Sequence, residues 1–600
     1  MNIKRLISNA DFYKTVDCIF IVLIFSLPFV SYPFIIDPIK SGQELYLVSA
    51  IALWLFFKAV TLLKAGFFKI YILDIAFLIF SSYCIFHYLR YSYFGLFYNG
   101  LGIFAGYIAL FYLFRWSYEK EEDGTFVFGF TIKLIWLLCT LQALAALLQE
   151  FDFLKSDSIF FKVTGTFINP NFLGVYMMIG IFTLVYLFFI ELPRNRAVRF
   201  LMIFSGAFMA YTLILTQSRA SWLALCIGIL FFLVTSQKGI SFIKNNRIKA
   251  SGIFLAIILL GVLVLYLLYN TDKNSVDGRA FIQRMTFYEI EKQPILGNGI
   301  FNFAGIYNDA KAHYFLTGDR SWQEIKTGDY AALAFNDYLQ IIFEIGIAGF
   351  LLMASLLFLI LKNIRFNSEI RLGLSFVSAF IFLAFFTSVL YNPNAMLYVI
   401  WALSIIFIFG KREMPFKEIR SRFVIRGIAV LLIGTSSAAG FVYYKKTAGL
   451  AGFKCVQESG SDKIYYKLTD NDLIYIQEDP FVEFQTGYEK YREGEWEKGL
   501  EMMENSIRKN PIPNANIALA GLYAEQKRYD KVEKILKENI GIEPSRFEPR
   551  NNLLQFYLGR KEYQNANKIA AEIVNLPVKK ASPQVIAYKE FARSILEIKE

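Results

Sequence analysis

Up to about residue 445 the chain alternates long apolar runs with short polar segments, and beyond it the runs stop. A helix that crosses the roughly 30 Å hydrocarbon core of a bilayer needs about 20 mostly apolar residues. Runs of that kind lie near 17–36, 44–65, 69–88, 95–114, 126–149, 171–191, 199–215, 219–236, 251–270, 338–361, 371–391, 394–410 and 424–443. The pattern predicts an all-α, polytopic helical membrane protein with about 12–13 transmembrane helices in residues 1–445. A long hydrophilic stretch at about 271–337 interrupts the series. Residues 446–600 are rich in Glu, Lys, Asn and Tyr and form a second expected domain, α-helical and soluble.

That second region has a period of its own, near 34 residues. Gly487, Gly494, Trp496 and Pro511 fall at tetratricopeptide-like positions, and Gly521, Tyr529 and Pro544 repeat the arrangement. Tyr557, Gly559, Tyr563, Ala566 and Ala570 resemble a third unit, while Gly499 stands where alanine is usual. Paired helices of this type stack and expose a groove. The tail is therefore expected to bind a protein or glycan ligand, with a plain helical bundle as the alternative.

Composition sharpens the picture. Of 600 residues 56% are hydrophobic and 19% charged, and mean hydropathy is +0.42, more apolar than a soluble globular chain. The net charge of +12 does not point to nucleic acid, because the cations sit in alternate loops. One set holds Lys4, Arg5 and Lys14, then Lys58, Lys64 and Lys69, then Arg194, Arg196 and Arg199. It continues with Lys238, Lys244, Arg247 and Lys249, then Lys362, Arg365 and Arg371, and a last cluster from Lys411 to Arg426. The other set holds few: Lys40, Arg90, Lys155, Lys162 and Arg219. By the positive-inside rule the N-terminus is cytoplasmic, and the 271–337 loop and the tail face the outer side of the membrane. The first run has no small-residue cleavage site and reads as a retained helix. Five scattered cysteines and two histidines support neither a disulfide framework nor a metal site, so no metal or cofactor is expected.

Four segments carry candidate chemistry, all on the expected outer side. Gly165–Gly174 reads GTFINPNFLG and places Asn169 and Asn171 at a membrane boundary, where they would contact substrate or cap a helix. TQSRAS, Thr216 to Ser221, sets Gln217, Ser218 and Arg219 between two apolar runs. A cation at that depth needs a partner or an anionic ligand, unless it reaches lipid phosphates. The third segment opens GRAFIQRM at Gly278 and closes with PILGNG at Pro294–Gly299. Arg279 and Gln283 share a helix face there, with Arg284 beside them; an exposed amphipathic helix would look the same. The fourth, AFNDYLQIIFEIGIAGF from Ala334 to Phe350, carries Asn336, Asp337 and, deeper, Glu344.

In order, spacing and sidedness these segments resemble the O-antigen ligase and O-antigen polymerase superfamily, in the branch with a helical-repeat tail. The resemblance runs from about residue 160 to 410. It implies transfer of a glycan from an undecaprenyl-diphosphate carrier to a lipid or protein acceptor, by an inverting, metal-independent mechanism in which arginines hold the diphosphate. Arg219 matches the arginine of the SRA segment, Arg279 that of the GR segment, and Asn336 the asparagine of the N-[DE]-x-L segment. Many such ligases place a histidine just before that asparagine; this chain has Phe335. Neither His87 nor His313 replaces it by position, which leaves Asp337 or Glu344 as base, or leaving-group stabilisation without one. The expected catalytic set is thus Arg219, Arg279, Asn336, Asp337 and Glu344, with Asn169, Asn171, Gln217, Ser218, Gln283 and Arg284 as substrate contacts. A polymerase or a protein O-oligosaccharyltransferase would use the same residues. The rivals from other classes are a lipid-carrier transporter and a non-catalytic scaffold. A transporter should show repeated halves with ionisable groups at mid-membrane; here the polar groups gather at one face.

Overall fold

The computed structural model describes residues 9–65, 67–119, 121–191, 193–246, 248, 251–252, 273–362, 364–410, 415–459, 470–579 and 581–597. Nearly all of this is helix, with one short antiparallel pairing of Phe68–Ile70 and Lys417–Ile419. Among the described residues, nine helical segments are long and apolar enough to cross a membrane. They are Lys40–Leu62, Ile72–Tyr91, Asn99–Tyr118, Gly124–Glu150, Pro170–Ile190, Arg196–Leu215, Asp337–Leu361, Pro393–Gly410 and Arg422–Lys454. The protein is multi-pass.

Three of the thirteen expected runs form shorter helices. Residues 17–36 do not make one span: the helix Asn9–Phe25 ends, and Pro28 follows in a 3-10 turn over Leu27–Phe29. Arg219–Val234 has 16 residues and so does Ser368–Leu383. The run expected at 251–270 lies, beyond residue 252, outside the described residues.

Packing divides the chain into two compact units. One comprises Met1–Ile79, Phe97–Leu268 and Leu352–Ile476; the other comprises Phe80–Leu96, Tyr269–Leu351 and Gln477–Glu600. The expected line near 445 follows polarity, whereas packing groups the 271–337 loop with the repeats.

The first unit is a bundle of long apolar helices cored by aromatic residues such as Trp54, Phe114, Tyr176, Tyr398 and Trp401. Its buried ions are neutralised locally, as a low-dielectric interior demands. Asp17 accepts from Lys58 Nζ at 2.7 Å and from Trp54 Nε1 at 3.1 Å. Asp74 accepts from Arg115 at 2.7 Å, and the guanidinium lies over the Tyr71 ring.

The second unit combines short loop helices with the repeats. Three helix pairs, Pro480–Arg492 with Trp496–Lys509, Pro513–Glu525 with Tyr529–Ile542, and Phe547–Gly559 with Tyr563–Asn575, are followed by Pro583–Glu597. The turn inside each pair is made the same way. Gly494, Lys527 and Lys561 all take the left-handed conformation just past the first helix. Gly499 has a packing reason: a Cβ there would lie 2.5 Å from the Gly487 carbonyl of the facing helix.

The loop helix Phe303–Leu316 packs against Tyr529–Ile542. Gly541 allows the approach, since a Cβ on it would lie 2.6 Å from Ala312. Trp322 and Ile325 of the loop rest on the hydrophobic core of the repeats. Asp329 accepts from Ser545 Oγ at 2.7 Å and from Lys579 Nζ at 3.0 Å. Lys509 is nearly buried and bridges Glu478 at 3.1 Å and Glu483 at 3.0 Å.

Candidate active site

The four segments singled out in the sequence meet in two pairs, one pair in each unit. In the first unit Asn169 caps the helix Pro170–Ile190, its side chain accepting from the Asn171 N–H at 2.9 Å. The cap is therefore real, and it leaves Asn171 half-buried in the first turn. Gly174, one turn on, lies against the TQSRAS turn: a Cβ on it would stand 2.7 Å from Ser218 Cβ and 3.0 Å from Ser221 Oγ. Ser218 and Ser221 share a hydrogen bond of 2.8 Å beneath that contact. Gln217 is exposed with φ of 52°, and Arg219, half-buried, opens the helix Arg219–Val234. The first turns of two helices thus lie together, with an arginine at one of them. The positive ends of helix dipoles and unsatisfied N–H groups favour an anion at such a place.

Two glutamines hold the backbone that leads into this pair. Gln149 accepts from the N–H groups of Thr164 and Gly165 at 2.9 and 2.8 Å, and Gln142 accepts from Thr166 N at 3.1 Å. Both lie in an apolar helix, where the hydropathy pattern gave no hint of them as site-building residues.

In the second unit the PILGNG turn locks onto the helix Asp337–Leu361. That helix is broken at Gly346, with φ of 68° and ψ of 177°. The break turns two N–H groups outward, and they donate to the turn: Ile347 to Pro294 O at 2.9 Å, Ala348 to Ile295 O at 3.2 Å. In return Asn298 N donates to Phe343 O at 2.7 Å and Gly299 N to Glu344 O at 2.9 Å. A Cβ on Gly346 would overlap the Ile295 carbonyl, and one on Gly297 would stand 2.5 Å from Gly346 N. Glu344 is buried in this junction. One carboxylate oxygen accepts from Phe301 N at 2.9 Å and the other from Gln340 Nε2 at 3.1 Å. Its observed work is to tie the turn to the helix. Asn302, unforeseen from the sequence, bridges further: it donates to Tyr91 O at 2.8 Å and accepts from Tyr93 N at 2.9 Å.

Arg279 and Gln283 lie on one helix, Lys273–Lys292, as the spacing predicts, and both are half-buried. The Arg279 guanidinium lies over the Phe335 ring, 5.7 Å from its centroid. Phe335 has φ of 52°, and Asn336 after it accepts from Leu339 N at 3.1 Å, capping the helix that Asp337 begins. Arg284 points elsewhere. It is exposed and pairs with Glu324 at 2.6 Å. The Tyr314 hydroxyl, with Arg284 and Ser321, holds the Glu324 carboxyl down to about 2 against the upward push of burial.

Strain marks these segments. Among the described residues, six non-glycine residues have positive φ, and Gln217, Phe301 and Phe335 are three of them. Two others, Lys527 and Lys561, are explained as repeat turns. Left-handed conformations of this kind cost about 1–3 kcal/mol and persist where surrounding contacts impose them, commonly at functional sites.

Residues 204–354 match the O-antigen ligase family model. The match takes in Arg219, Arg279, Asn336, Asp337 and Glu344, and so reaches into both pairs of segments. A match of this kind in a multi-pass membrane protein supports a glycosyl-transfer function. No curated protein matches the chain. Among solved structures the chain is similar to that titled crystal structure of the yeast Tom70, at 10% identity and a TM-score of 0.22, covering 87% of this chain and 96% of that one. A likeness of that size has no bearing on fold or function. The helical repeats stand on their own geometry.

Proposed function

We propose that this protein transfers a glycan from an undecaprenyl-diphosphate carrier to an acceptor hydroxyl at the outer face of the inner membrane, as an O-antigen ligase does. The observation that carries the reading is the family match over residues 204–354, which spans both arginines. In the proposed step the acceptor oxygen bonds to the anomeric carbon on the face opposite the leaving group. The bond from that carbon to the diphosphate breaks, and negative charge gathers on phosphate oxygens. Fixed cations placed where charge develops lower the barrier most. We assign this role to Arg219, which opens the helix Arg219–Val234, and to Arg279, whose guanidinium lies over the Phe335 ring. The arginines fill the role that a metal ion has in other transferases. Asp337 takes the acceptor proton, and Asn336 fixes the start of its helix. Glu344 is a positioning residue, since one of its oxygens accepts from Phe301 N just past the turn and the other from Gln340 of its own helix.

The test is transfer from a lipid-diphosphate glycan donor by the purified chain in lipid nanodiscs. Arg219→Ala and Arg279→Ala should each lower the rate by about 10²–10³, the usual loss of one charge-stabilising donor. Arg279→Lys should be nearly as damaging, because an ammonium has neither the planar fork nor the stacking surface. Wild-type rates in both alanine variants would end the reading. A reporter fused after Glu600 and active only in the outer compartment checks the orientation; activity of a cytoplasm-only reporter there would overturn it.

A further inference from the structure

The second helices of the three repeat pairs open with an aromatic residue each, Trp496, Tyr529 and Tyr563. The first helices of the second and third pairs end on Gln526 and Arg560 as their C-caps, so these two residues are equivalent. Arg560 lies over the Tyr529 ring, 4.1 Å from its centroid, and closes that surface as a cation over a π face. One repeat earlier Gln526 stands in the place of Arg560. A neutral amide does not cover the larger indole, and Trp496 is left 60% exposed. A cavity of about 780 Å³ opens at this spot, lined among others by Tyr488, Tyr491 and Arg492. The left-handed turn at Gly494 holds Trp496 at the rim.

The lining indicates the ligand. Its charged groups cancel: Arg492 and Arg528 stand against Glu497 and Glu525, and Arg528 pairs with Glu497. A groove of no net charge gives little attraction to a phosphate or to a peptide carboxylate. Aromatic faces suit the C–H faces of pyranose rings. Carboxylate, amide and guanidinium groups offer two-point hydrogen bonds to neighbouring hydroxyls. The volume falls in the range of ordinary ligand sites, about 300–1,000 Å³, and fits a few sugar units. We propose that this groove binds the glycan being transferred, with Trp496 stacked on a sugar ring. The proposal rests on the transferase reading and adds to it a glycan site in the repeats, separate from the residues that hold the diphosphate.

The probe is the free oligosaccharide released by mild acid from the host's lipid-linked donor, which carries neither lipid nor phosphate. Its binding to the full chain in nanodiscs, free of sugar-headed detergents, is measured by titration calorimetry. Trp496→Ala should weaken binding about tenfold or more, and Trp496→Phe about threefold or less, with unfolding temperatures unchanged because the indole is exposed. Arg279→Ala should bind this probe as the wild type does. Equal affinity in wild type and Trp496→Ala overturns the groove, as does binding of a displayed peptide that needs Trp496 with no binding of the oligosaccharide. Transfer assayed in parallel separates the two ideas. Active transfer with Trp496-independent binding removes the groove and keeps the enzyme. Trp496-dependent binding with no transfer keeps the groove and removes the enzyme.

Discussion

The two pairs of segments are assembled by different means. At Gly174 and Ser218 two ordinary helix starts touch, and the missing Cβ of one glycine is the device that lets them. At Gly346 and Ile295 the helix itself is broken, four backbone hydrogen bonds cross the break, and a buried carboxylate ties the turn from the side. The first arrangement uses elements that hydropathy announces. The second uses backbone conformations that survive because neighbouring groups hold them. The second should accordingly be the more brittle, and substitutions can break or sharpen that contrast.

The largest effect belongs to Gly346→Ala. A side chain there meets both the left-handed backbone penalty and the Ile295 carbonyl, so a loss of about 3 kcal/mol or more is expected. Gly174→Ala should cost less, about 1–3 kcal/mol, because overpacking between helices relaxes by small shifts. Thermal unfolding of the purified chain in detergent compares them, and equal losses would erase the distinction drawn between the two pairs.

Within the second unit the buried cations come next. Lys509 neutralises Glu478 and Glu483 together, and Lys509→Ala leaves two carboxylates facing each other. A loss of about 2–3 kcal/mol should follow. Lys311 is the opposite case. It is fully buried on the helix that meets the repeats, and its Nζ has no hydrogen-bond partner among the described residues. Burial pulls it down to about 7, and Asp329 and Glu543 restore only part of the shift. The sign is fixed by linkage: the folded value lies below the ordinary 10.5, so the unfolded chain holds the proton more tightly. The destabilisation is full below about pH 7, shrinks as pH rises towards 10.5, and is gone above it. Lys311→Met should therefore stabilise the protein by about 2 kcal/mol at pH 7. Its advantage over wild type should close as the melts are repeated towards pH 10; an advantage independent of pH would show that the buried lysine keeps its proton as tightly as it does in the unfolded chain.

The smallest effect is reserved for Glu344→Gln. The amide keeps one acceptor for the junction and loses one charge-assisted bond, a cost of about 1 kcal/mol. Transfer should fall less than tenfold. A loss of about 10²–10⁴ would make Glu344 the base after all.

Much of this protein is written in one dimension. Period and apolar length place most of the long helices within a few residues of where they stand, because a helix that crosses hydrocarbon must satisfy its backbone internally and cannot hide its composition; the exception is Arg422–Ser459, which runs well past the expected end at 443. The 34-residue period of the tail survives as three helix pairs for a related reason, since each pair needs the next to cover its apolar face. Individual roles were less legible. Asn169 and Asn336 could be read as caps, and they are caps. Glu344 reads as a buried acid in search of a task, and the position of Phe301 N, 43 residues earlier in the chain, supplies one. Nothing in the linear pattern joins Gly174 to Ser218, Gly346 to Ile295, or the loop helix Phe303–Leu316 to Tyr529–Ile542. Those pairings depend on where a Cβ would collide and which carbonyl lies within reach of an N–H. Such distances are properties of the folded chain, so tertiary structure alone decided them.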